Sequence, residues 1–135
     1  MALIVRAPST MSEQAERLED RTMRFALDVC GLIKLLPSLE PGPTVRRQLA
    51  KSSTSVAFNY RASCRARSHA EFTAKMGLVV EESDETTGWL EFIETGKLIA
   101  GSPDLERLSA EARELVAIFS ASVGTARYND RNRRK

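Results

Sequence analysis

The chain has 135 residues, which is the length of one domain. Its composition, 42% hydrophobic and 28% charged, is that of a chain able to bury a core. Aromatics at 6% argue against a sandwich or barrel, the single His and two Cys exclude the usual structural zinc set, and the net charge of +2 conceals strong segregation.

Four helices follow from the spacing of apolar residues. In the first, Leu18, Thr22, Phe25, Ala26, Val29, Leu32, Ile33 and Leu36 recur at three- and four-residue steps and form one stripe. It starts near Ser12 and stops before Pro37, because the residue preceding a proline disfavours helical geometry. Pro41-Gly42-Pro43 makes a turn. The second helix spans about 44–66, with Val45, Leu49, Ser52, Val56, Tyr60 and Ser63 facing inward. Ser68-His69-Ala70-Glu71 is a capping box and opens a third helix that runs to about Thr95, with Gly96 as its stop. Ser102-Pro103-Asp104 opens the fourth, whose stripe is Leu105, Leu108, Ala112, Leu115, Val116, Phe119 and Val123.

Short connections between long helices predict an all-α fold, an antiparallel up-down-up-down four-helix bundle. The bundle is expected over residues 12–126. Residues 1–11 are expected to be a flexible N-terminus and residues 127–135 a basic, flexible C-terminal tail. No segment reaches the roughly 18 apolar residues of a membrane span, and Ala2-Leu3-Ile4-Val5 is too short for a signal-peptide core. The expectation is a soluble cytoplasmic protein without membrane contact, cofactor or metal.

Charge is distributed in blocks. Residues 1–67 carry 11 basic and 6 acidic groups, residues 68–125 carry 4 and 11, and residues 126–135 carry 5 and 1. No acid lies between Glu40 and Glu71. On the second helix Arg46, Arg47, Lys51, Arg61 and Arg65 fall in a sector of about 140° that also holds Phe58. A basic stripe with an aromatic suits a phosphate backbone and a stacked base. Arg131, Arg133 and Arg134 add basic groups near the C-terminus. The alternative is that basic and acidic helices neutralise one another across the bundle.

On the third helix Glu82, Glu85, Thr86, Trp89 and Ile93 share a face. A raised-pKa acid pair is one reading. The other, preferred here, is a structural network in which Glu82 and Glu85 meet Lys51 or Asn59 beside Trp89. No nucleophile elbow, phosphate-cradling loop or metal set completes an active site, so no enzyme is expected. Met23, Leu27, Cys30, Val80, Gly77 and Gly88 fall outside the core stripes, a surplus that suggests self-association.

The string from Arg47 through Gln48, Lys51, Ser55 and Asn59 to Tyr60 resembles a signature of the rRNA intervening-sequence protein family. So does the run from Glu82 through Glu85, Thr86 and Trp89 to Leu90, and Ala112-Arg113-Glu114-Leu115 with Ile118 resembles the last helix. The resemblance covers about residues 15–127. It implies a left-handed antiparallel bundle assembled as a homopentamer, with no known enzymatic activity. A related branch serves as the accessory protein of diversity-generating retroelements, which implies RNA or DNA and a reverse transcriptase as partners. One departure is Tyr60-Arg61-Ala62-Ser63, which puts a basic residue where the family often has a Glu or a Gly-rich turn. Two functions stand: a nucleic-acid-binding or ribonucleoprotein accessory module, and a structural or protein-interaction oligomer with no nucleic-acid role.

Overall fold

The computed structural model describes residues 12–133. The expected flexible segment 1–11 and the candidate contact Arg134 lie outside the described residues. Those described are all-helical, with no strand: α1 (Glu13–Leu32), one 3-10 turn (Ile33–Leu35), α2 (Gly42–Cys64), α3 (His69–Gly96) and α4 (Pro103–Arg133). None of these helices is long and apolar enough to cross a membrane.

Local chemistry sets the ends. Ser12 accepts a hydrogen bond from the Ala15 amide at 3.1 Å, with Glu13 and Glu16 at the positive end of α1. Helix α1 does not run evenly to Pro37. It tightens into the 3-10 turn, and Leu36 is extended, as a residue before proline must be. Gly42 has no substitute, because a Cβ there would overlap the Pro37 carbonyl. Ser68 accepts from the Glu71 amide at 3.0 Å, whereas the Glu71 carboxylate turns to Arg67 at 3.3 Å. Half of the expected capping box is therefore an ion pair. At the end of α3 the left-handed residue is Lys97, not Gly96. The Leu98 amide returns to the Ile93 carbonyl at 3.0 Å, and the bare Gly96 lets the Leu98 side chain fold over it.

The core is a single cluster built on Val29, Leu49, Met76, Leu90, Leu108, Leu115 and Phe119. The Tyr60 ring packs on Phe119 across it, with centroids 5.2 Å apart. The largest helix contact is between α2 and α3, and the smallest is between α1 and α4. Small hydroxyls are buried on both of these helices: Ser52 and Ser53 on α2, Ser83 and Thr86 on α3. Ser83 donates to the Val79 carbonyl at 2.7 Å, and Thr86 reaches both the Glu82 carbonyl at 2.8 Å and Ser52 at 2.9 Å. Among the described residues no buried side-chain polar atom lacks a partner.

Ion pairs fasten α1 to α4, where apolar contact is thinnest. Arg21 holds Glu111 and, at 3.1 Å, Glu114. Arg107 holds Asp28 at 3.2 Å. Mutual neutralisation across the bundle thus accounts for these charges.

The expected tail is largely helical. Helix α4 continues without a break to Arg133. His69 Nε2 lies 3.3 Å from the Ala126 carbonyl and 3.3 Å from Asp130, and Ala126 is buried. Extending an existing helix fixes one residue per hydrogen bond gained. A short basic run with one docked turn therefore stays wound.

Candidate functional site

The exposed residues of α2 are Arg47, Lys51, Phe58 and Arg61. Steps of four, seven and three residues keep them on one narrow outer line, since each step is close to whole helical turns. The line is about 21 Å long at the helical rise per residue. Phe58 is 57% exposed, so its ring belongs to this surface and not to the core. Among the described residues Arg61 has no side-chain partner, and Arg47 touches only the nearby Thr44 hydroxyl, at 3.5 Å.

The line is narrower than the sequence suggests. Arg46 is only partly exposed and turns toward the end of α1. Its guanidinium donates to the Ile33 carbonyl at 3.3 Å and to the Leu36 carbonyl at 3.1 Å. Helix ends leave carbonyls without partners, and Arg46 supplies one, which makes it a structural cap in place of a surface contact. Arg65 is half committed: it donates to Glu19 at 2.8 Å and to the Arg61 carbonyl at 3.1 Å. Lys51 stays exposed, but its charge is felt by Glu82 on α3.

The expected network among Lys51, Asn59, Glu82, Glu85 and Trp89 is rearranged. Asn59 donates to the Ser55 carbonyl on its own helix at 2.9 Å and reaches neither carboxylate. Glu85 is exposed and accepts weakly from the Trp89 indole at 3.5 Å. Trp89 packs edge-on to Phe92, with centroids 5.6 Å apart. Burial pushes the Glu82 carboxyl up, the neighbouring Glu85 charge adds to this, and Lys51 opposes it. The direct polar link between α2 and α3 is the Ser52–Thr86 pair. Its signal was present as two hydroxyls on inward stripes, but the residue spacing of one helix does not reveal its partner on another.

Burial pushes the Cys64 thiol up, the opposite of what an attacking thiolate needs. Among the described residues no cluster of three His, Cys, Asp or Glu side chains is placed to hold a metal.

The fold does bring two separate basic stretches to one end. Through His69, the last turns of α4 lie against the start of α3, which follows α2 after a short connection. Arg127, Arg131 and Arg133 are exposed there, as are Arg61, Arg65 and Arg67. Opposite charge collects elsewhere: Glu81, Asp84, Glu85 and Glu91 are all exposed between the middle of α3 and its C-terminal end.

No protein-family model matches this sequence, and no curated protein matches it. Among solved structures, the chain is similar to a protein with unknown function from the S23 ribosomal protein family of Bacteroides thetaiotaomicron. The two share 23% sequence identity with a TM-score of 0.73, over 82% of this chain and 98% of that one. The likeness is one of fold.

Proposed function

We propose that this protein is a non-enzymatic accessory module that holds nucleic acid along the outer line of α2. The observation that carries this reading is that Arg47, Lys51, Phe58 and Arg61 are the exposed residues of that helix. A polyanion laid along it meets three positive charges and no carboxylate of α2 itself. The basic end formed by α2 and α4 extends the same surface. The bundle is antiparallel and left-handed in this reading. Several copies, five by the family resemblance, assemble in the cytoplasm and repeat the line around a ring. The ribosomal name of the structural neighbour's family supports RNA as the polyanion, and the resemblance adds a reverse transcriptase as a protein partner.

One observation favours a second reading. The acidic outer face of α3 complements the α2 line, so α2 of one copy seated on α3 of the next would make a structural oligomer with no nucleic-acid role. Fluorescence anisotropy with a labelled RNA single strand at low salt separates the two. The first reading expects binding that is lost in the double variant Arg47→Glu/Arg61→Glu while the oligomer persists. The second expects no binding, and an oligomer that dissociates in the same variant.

A further inference from the structure

We propose that Phe58 is a base-stacking platform, so that the ligand of the α2 line is a single strand and not a duplex. This rests on the reading that α2 holds nucleic acid, and it names the form of that ligand.

The argument starts from an apolar ring in a charged row. Phe58 is 57% exposed, and its neighbours on the outer line are Lys51 and Arg61. Along the helix axis Arg61 lies about 4.5 Å beyond Phe58, and Lys51 and Arg47 lie about 10 Å and 16 Å before it. A strand following the line therefore has phosphate partners on both sides of the ring. Of the carboxylates on adjoining helices, Glu19 holds Arg65, and Glu82 feels the charge of Lys51.

Along its length an undistorted duplex offers such a ring no free face. Its base faces are stacked on one another, and only base edges reach the grooves. In an unpaired strand each base has a free face, and stacking on an aromatic side chain tolerates any sequence because every base has one. Lysine and arginine alone would serve single and double strands through charge. The phenyl ring adds an attraction that only the unpaired form can accept.

The test compares a labelled RNA single strand with a blunt duplex of the same length, by anisotropy, using the full-length protein. The wild type should bind the single strand more tightly. Phe58→Ala should weaken single-strand binding by about thirtyfold, the middle of the range for one stacked base. It should leave duplex binding and the salt dependence unchanged. Phe58→Trp should restore the affinity, and its indole emission should be quenched by the strand, measured against the Trp89 background. Circular dichroism checks that Phe58→Ala folds. Equal affinity for the two forms, or Phe58→Ala within twofold of wild type, overturns the platform while leaving the α2 reading in place. No binding of either form by the wild type overturns both.

Discussion

The hydroxyls of Thr86 and Ser52 meet at 2.9 Å in the buried seam where α3 packs on α2. Both residues are at most 1% exposed, so without Thr86 the Ser52 hydroxyl keeps only the long contact to the Leu49 carbonyl at 3.4 Å. Thr86→Val keeps the shape and removes the oxygen. It should destabilise the fold by about 1–3 kcal/mol in urea unfolding. Adding Ser52→Ala should cost less than the sum of the single changes, because the second removes the group that the first left with that long contact alone. Strict additivity would show that the pair is not coupled.

Arg46 separates structure from surface. With its guanidinium on the Ile33 and Leu36 carbonyls, Arg46→Ala should cost about 1.5–3 kcal/mol, the range for hydrogen bonds to a charged group. Its effect on the salt dependence of nucleic-acid binding should be nil. A stable variant with a flattened salt dependence would return Arg46 to the interface.

Much of the fold was legible from local signals. Ser12, Ser68 and Pro103 mark helix starts because capping is decided within one turn, and the inward stripes of α1, α2 and α4 are found buried except for Leu18 and Val116, which are half-buried. What escaped the sequence was long-range. The partners of Arg46, Arg65 and Thr86 lie on other helices or after the end of one, and periodicity along one helix says nothing about them. The end of α4 was misread for a related reason. Residues 127–133 look like a solvated basic run, and the contacts that hold their helix come from His69, far away in sequence. The outer line of α2 was visible as a sector, but only the structure removes Arg46 from it.

Glu82 gives a pH signature. Its carboxyl is pushed up, chiefly by burial, then by Glu85, against the opposing effect of Lys51. An acid whose folded pKa exceeds its unfolded value holds its proton more tightly in the folded state. Its effect on stability is therefore neutral below the unfolded pKa and turns unfavourable as pH rises through the folded one. Glu82→Gln should match wild type in acid and be slightly more stable at neutral pH, by urea unfolding between about pH 4 and pH 7. A variant less stable than wild type at neutral pH would mean that the charge of Glu82 supports the fold.

Self-association has its own readout. A Cβ at Gly77 or Gly88 would meet nothing within 4 Å in the single chain. Each glycine costs a lone helix about 0.5–1 kcal/mol relative to alanine, and room for a second backbone is the compensation proposed. Light scattering should give a mass several times 15.0 kDa. Gly77→Leu with Gly88→Leu should lower that mass while the helix content holds. A clean monomer at micromolar concentration would remove the oligomer from the account.

The central claim is that the exposed cations of α2 contact phosphates, and the salt dependence of binding measures this most directly. Each phosphate contact on a single strand contributes about −0.7 to the slope of log affinity against log salt. Arg47→Glu with Arg61→Glu removes two contacts, so the slope should become shallower by about 1.4, with the unfolding midpoint in urea unchanged. A slope identical to wild type in that variant would contradict the account, because the strand would then be held by some other surface.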